Sequence, residues 1–174
     1  MTLIVVDVES DVPAPGLYSM VSIGAVVVDA TLKKTFYGEF APISEQWIEG
    51  ALAVSKISRE QHLAYPNPQD TTKLFYDWVK ANSDGRSILI SDNNGFDAAY
   101  VNYYMHKYMG ENPFGFSSRR IGDFYAGLTK DFFGANKWKH MRKTKHTHDP
   151  VDDATGNAEA IITMCQKHGL KMPY

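Results

Sequence analysis

The sequence predicts an α/β fold: a mixed sheet of about five strands, built as a β-meander followed by α/β alternation, with helices on its flanks. Three observations carry this. Three strand-like runs crowd into the first forty residues, helical and extended patterns alternate after residue 67, and the chain closes on a long helical pattern beginning at Asp149.

Taken in order, "TLIVVDV" (2–8) is an apolar, β-branched run that reads as a buried strand. "MVSIGAVVVD" (20–29) and "KKTFYGEF" (33–40) follow, joined by the turn-forming "DATLKK". In "NPQDTTKLFYDWVKAN", Asn67 is placed to cap a helix and Pro68 takes its first position. Leu74, Phe75, Trp78 and Val79 repeat at helical spacing. "SILIS" (87–91) is a fourth strand, followed by a helix from about Phe96 to Met109. A short strand near "RRIG" leads into a helix from about Asp123 to Phe133, and Lys137–Thr147 reads as a basic loop. In the last helix Asp149 caps, Pro150 takes the first position and Gly169 marks the stop. Tyr100, Tyr103, Tyr104 and Tyr108 recur at core-facing spacing, and Cys165 sits in the apolar stripe of the last helix, so packing is expected of all five.

With 174 residues, 44% hydrophobic and 22% charged, the chain suits one globular domain spanning 1–174. No apolar run approaches a membrane span and no secretory leader pattern is present. A single cysteine excludes an internal disulfide, so a cytoplasmic location and no membrane partner are expected. The net charge of −2 conceals an asymmetry. Ser117–Thr147 holds eight basic and two acidic residues, leaving −8 for the remainder. A solvated loop is the plain account of such a run unless something nearby needs phosphates.

The strand 2–8 ends in two acids, Asp7 and Glu9, which strand alternation points to the same side. Like charges that close repel, so one is protonated or something positive binds between them. Asp-x-Glu is common by itself, and a strand fraying into an acidic loop is the plain alternative. Asp97 stands just past strand 87–91 at the start of a helix, where sites collect in open α/β sheets. Asp153 falls on the first turn of the last helix, with His148 just before its cap. Together with Glu9, three acids from separate segments could hold two divalent cations, Mg²⁺ or Mn²⁺, as oxygen ligands. Such a pair serves in-line phosphoryl displacement, a neighbouring histidine can take a proton from water, and the basic loop would meet phosphates.

Asp7-x-Glu9 in "LIVVDVES", Asp97 in "DNNGFDAAYV" and His148 with Asp153 in "HDPVDDATGNA" resemble the three motifs of the DEDDh 3′–5′ exonucleases. That family includes proofreading subunits, ribonuclease T and oligoribonuclease, on the ribonuclease H-like fold. The likeness covers most of the chain, taking in the strand "MVSIGAVVVD" and the helical stretch "ISREQHLAYPNPQDTTKLFYDWV". It implies Asp7, Glu9, Asp97 and Asp153 as metal ligands, Asp7 bridging both ions, and His148 as general base. Ser10 would approach the terminal nucleotide through its backbone, Asn93 matches the second motif, and Asp123 matches a structural acidic position. Lys139, Arg142 and Lys143 are the candidate phosphate contacts.

The chain departs from the family at Asp92, where a histidine is usual, and at Pro150, where alanine is usual. The short length and the "SDNNGFD" variant are closest to small stand-alone bacterial and phage exonucleases, including mycobacterial-type 3′–5′ exoribonucleases. The implied activity is hydrolysis from the 3′ end of single-stranded nucleic acid, RNA favoured. A DNA exonuclease of the same family and an inactive nucleic-acid-binding module are the alternatives. Relatives often form homodimers, which raises a homodimer as an expectation. A zinc site among His140, His146, His148, Cys165 and His168 lacks any C-x-x-C or H-E-x-x-H spacing.

Overall fold

The structure, a computed structural model, describes residues 1–174. Its strands are β1 (Thr2–Ser10), β2 (Met20–Val27), β3 (Thr35–Glu39), β4 (Ser87–Ser91) and β5 (Ser118–Arg120), in the sheet order β3-β2-β1-β4-β5. The meander β1-β2-β3 is antiparallel, whereas β4 and β5 join parallel to β1. The predicted mixed five-stranded sheet is therefore present in both its halves.

Alternation along β1 divides the core in two. Ile4, Val6 and Val8 face a cluster shared with α3 (Pro68–Ala81) and α4 (Asn94–Met109). Leu3 and Val5 face the opposite cluster, shared with α5 (Ile121–Thr129) and α6 (Pro150–Lys167). Asp7 and Glu9 continue the Leu3/Val5 parity, so the two acids emerge on the α6 side of the sheet. Tyr100 and Tyr104 are buried, Tyr103 and Tyr108 pack at the margin, and Cys165 lies in the α6 core, as their spacing predicts. The Met20 N–H donates to the Tyr104 hydroxyl at 2.9 Å, tying α4 to β2.

Helix ends follow local chemistry. The Asn67 side chain accepts from the Gln69 N–H, and Pro68 occupies the first turn of α3. Past α6, Gly169 adopts φ +63°, with Gly169 N–H bonded to Gln166 and Leu170 N–H to the Cys165 carbonyl. Those two bonds are a Schellman motif, which needs the left-handed glycine.

Four details differ from the sequence reading. Leu74 is 63% exposed, because the stripe of α3 that meets the sheet runs through Thr71, Thr72, Phe75 and Val79. Helix α4 begins at Asn94, two residues early. Helix α5 begins at Ile121, ahead of Asp123, and stops at Thr129, because Lys130 turns left-handed (φ +55°). The Asp131 carboxylate then takes the Gly134 N–H, leaving Phe132 and Phe133 exposed in the turn. Within the expected basic loop, Lys137–Met141 forms a 3₁₀ turn, because fully buried Trp138 pins it to the core. Two short helices before α3 complete the fold: α1 (Glu49–Val54), and α2 (Arg59–Leu63) with a Ser58/Gln61 capping box. No helix is long and apolar enough to cross a membrane.

The packing of α6 on the sheet is closest at Gly24. A Cβ there would fall 2.2 Å from the Pro150 carbonyl carbon and oxygen and 2.4 Å from the Val151 nitrogen. These are backbone atoms and cannot rotate away. Gly24→Ala is expected to cost at least about 3 kcal/mol and to lower the melting temperature by about 6 °C or more. Thermal unfolding followed by circular dichroism measures it, with Gly50→Ala, whose Cβ meets nothing within 4 Å, as the control.

Candidate active site

Asp7 pairs with Gly24 across β1 and β2, and Glu9 pairs with Ser22. Because Gly24 carries no side chain, the first turn of α6 rests on the sheet beside Asp7. Asp149 fixes that turn: its carboxylate accepts from the N–H groups of Val151 (2.9 Å) and Asp152 (3.2 Å), and its carbonyl accepts from Asp153. Asp153 is thereby delivered to the sheet, where ligand oxygens of Asp7, Glu9 and Asp153 lie within 4.8 Å of one another.

Four groups, three of them hydrogen-bond donors, converge on the buried Asp153 carboxylate. Oδ1 accepts from Arg142 Nη2 (2.8 Å) and the Thr147 N–H (3.1 Å). Oδ2 accepts from the His148 N–H (3.2 Å) and faces His146 Nδ1 at 2.7 Å. His148 adopts φ +62°, a left-handed conformation that turns both its N–H and its ring toward the acids. Its Nδ1 stands 3.8 Å from Glu9 Oε1, while Glu9 Oε2 accepts from the Ser55 hydroxyl at 3.1 Å.

Asp97 lies outside the 4.8 Å group, although its Oδ1 reaches β1 and accepts the Val8 N–H at 3.1 Å. Its Oδ2 is buried with no hydrogen-bond partner. A buried acceptor left without a donor is costly, and one whose charge adds to that of neighbouring carboxylates is a place for a cation. Burial pushes the Asp97 carboxyl up to about 7. Asp7 is also raised well above the usual range, by burial first and then by the charges of Asp97, Glu9 and Asp153, with Arg142 pulling the other way. Glu9 is raised by burial and partly relieved by Ser55. The three share one first cause, burial of a carboxylate away from water with too little compensating charge, and oxygen-ligated divalent ions would supply what is missing. The donor set therefore fits the metal the sequence implies.

The remaining candidates fall in three different settings. Lys139 and Lys143 line a cleft of about 380 Å³ with Asp92, Lys145 and His146, and Lys139 pairs with Asp92 at 2.7 Å. Asp92, which stands in place of the usual histidine, thus holds one of the cleft's cations. Arg142 borders the same cleft, but its side chain is only 10% exposed and committed to Asp153, so it is placed as a partner of that acid more than as a free phosphate contact. Ser10 is buried with its hydroxyl accepting the Val12 N–H, and Asn93 is exposed at the start of α4, its carbonyl capping Phe96 and Asp97. Asp123 pairs with Arg120 on the surface, on the first turn of α5.

Sequence reasoning passed over His146 and Ser55 in naming the site. Ser55 reaches Glu9 across 46 residues and left no local signal. His146 did: two residues ahead of His148, it shares the segment entering the same helix cap.

The sheet order and flanking helices define a ribonuclease H-like protein. Solved structures agree on the fold. Each of three covers 95% of this chain: Escherichia coli exonuclease I with single-stranded DNA (TM-score 0.71, 14% identity), cell-death related nuclease 4 (0.76, 13%), and a 3′-exonuclease recognising histone mRNA stem-loop (0.76, 16%). The chain spans 40% of exonuclease I and 64% of each of the other two. No family model matches the chain. The 3′–5′ DNA exonuclease Cap18 of Escherichia coli is 35% identical over 162 residues, which are 88% of this chain and 86% of that protein. The chain belongs to the DEDDh 3′–5′ exonuclease family.

A carboxyl raised in the folded state binds protons more tightly there than in the unfolded chain, so its contribution to stability falls as pH rises. For Asp97 the window runs from its unperturbed 3.8 to about 7. In EDTA, the melting temperature of the wild type is expected to fall more steeply across that window than that of Asp97→Asn. Mn²⁺ added at neutral pH should restore the wild type and leave the variant nearly unmoved; differential scanning fluorimetry reads both.

Proposed function

We propose that residues 1–174 act as one exonuclease domain that hydrolyses phosphodiester bonds from the 3′ end of single-stranded nucleic acid. The observation that carries this reading is the meeting of Asp7, Glu9 and Asp153 within 4.8 Å beside an unpartnered Asp97 oxygen, with a lysine-lined cleft adjoining. Asp7, Glu9, Asp97 and Asp153 would hold two Mg²⁺ or Mn²⁺ ions. When bound, such a pair stabilises the attacking and leaving oxygens of an in-line displacement.

The chain's own groups do the rest. His148, its ring 41% exposed and beside Glu9, takes a proton from the attacking water. Water oxygen bonds to phosphorus as the bond to the preceding 3′ oxygen breaks, releasing a nucleoside 5′-monophosphate and leaving a new 3′-hydroxyl. Lys139 and Lys143 meet the phosphates upstream. Of the two substrates, DNA is favoured by the relative of 35% identity, a DNA exonuclease. RNA remains the second reading, supported by the likeness of "SDNNGFD" to small exoribonucleases; a contact to a 2′-hydroxyl would decide between them.

A time course with 5′-labelled single-stranded DNA and RNA of one sequence, in Mg²⁺, Mn²⁺ or EDTA, tests the proposal. A metal-dependent ladder shortening from the 3′ end is expected, and the faster substrate names the class. Asp7→Ala and Asp97→Ala should each lose at least about a thousandfold in kcat. His148→Ala should lose about a hundredfold or more in kcat while keeping its Mn²⁺ affinity. Full activity in Asp97→Ala would remove the proposal. Replacing Lys139 and Lys143 together should weaken binding and reduce the slope of log affinity against log salt by about 1 to 2.

A further inference from the structure

We propose that His146, His148 and Asp153 form a second metal site, one that takes zinc in preference to magnesium and draws His148 and Asp153 away from the reaction. The three side chains offer ligand atoms within 4.8 Å of one another. His146 Nδ1 already stands 2.7 Å from Asp153 Oδ2, and the two imidazole rings meet edge to face with centroids 4.3 Å apart.

The Asp153 carboxylate is divided between two duties. Arg142 and the Thr147 N–H hold Oδ1, whereas Oδ2 faces the histidines. Behind it, Arg142 lies against Gly156 in a slot that only glycine leaves open, since a Cβ there would come within 2.6 Å of the guanidinium Nε. The acid is thus oriented from behind by a buried cation, the kind of support that metal-ligating groups require.

The donor set selects the ion. Two imidazoles and one carboxylate suit Zn²⁺, which accepts three protein ligands and keeps a fourth position for water. Mg²⁺ demands octahedral oxygen and parts reluctantly with its waters, so the same three atoms serve it poorly. Tetrahedral bonds of about 2.0–2.1 Å place ligand atoms roughly 3.3 Å apart. His146 and Asp153 need only part slightly, and both histidines are exposed (54% and 41%), so their rings can turn without disturbing the core. A zinc ion would sit between the His146 nitrogen and the Asp153 oxygen that now face each other.

The binding claim stands independently of the activity. Inhibition rests on the reading in which His148 and Asp153 serve cleavage: a histidine bound to zinc cannot accept a proton from water.

Titration calorimetry of the intact protein with Zn²⁺, in millimolar Mg²⁺, tests the site, with visible absorption of the Co²⁺-loaded protein as a second readout. One zinc per chain is expected. His146→Ala should weaken binding by about tenfold or more and lose the cobalt bands. Asp97→Ala, which removes an acid of the carboxylate group only, should keep both. Absence of zinc binding, wild-type affinity in His146→Ala, or loss of the site in Asp97→Ala would each overturn it; melting curves establish that every variant is folded. In the nuclease assay, zinc should inhibit Mg²⁺-supported cleavage, and less so for His146→Ala measured against its own zinc-free rate. A protein that cleaves nothing under any condition would remove the inhibitory role and the functional reading, with the metal site decided by calorimetry and the cobalt spectrum.

Discussion

The contact between the first turn of α6 and the bare backbone at Gly24 is the constraint on which the site depends. Three carboxylates meet because a helix cap presses directly on a strand, at the residue facing Asp7 across the pair. A side chain there would lift the helix, and Asp153 with it, away from the sheet. Asp149 and Pro150 complete the device by fixing where the helix begins, so that Asp153 falls on the turn facing Asp7 and Glu9. Glycine, cap and acid act as one unit, though the first lies more than 120 residues from the others.

That geometry assembles negative charge against the ordinary preference of a fold. Asp7 and Asp97 carry little local compensation; Arg142 opposes the charge on Asp7 from one side, and the Val8 N–H answers a single oxygen of Asp97. Asp153 is the exception, with donors to both of its oxygens. The contrast separates an acid whose position is fixed by the protein from two whose environment calls for cations. Asp11, on the other side of the sheet end, is also raised by burial, but there the protein answers the charge itself, with Arg59 at 3.2 Å and the Ser19 N–H.

Much of this was legible in the sequence, because it depends on local rules. The pleat places Asp7 with Glu9, and a Pro-containing cap locates Asp153 relative to His148, so both relationships follow from spacing. The meander and the tyrosine stripe of α4 are equally local. What spacing could not reveal is contact across the fold. Arg142 reads as one more cation in a basic run until the slot at Gly156 and the acid beyond it are visible. His146 looks like an exposed loop residue until the left-handed backbone at His148 swings the segment onto Asp153. The end of α5 was misplaced for a related reason: Phe132 and Phe133 extend an apolar pattern, but Asp131 prefers to close a turn on Gly134.

The basic segment is not the slack tether its composition suggests. Trp138 is sunk in the core at one end, and farther along the Glu159 carboxylate accepts the N–H groups of Lys143 and Thr144 and the Thr144 hydroxyl. A loop free in solution loses conformational entropy, about 1–2 kcal/mol for each residue it orders, whenever it grips a ligand. Here that loss is taken during folding, so the lysines are presented on backbone already set in place. Any anionic chain that these lysines met would have only their side-chain freedom left to restrict.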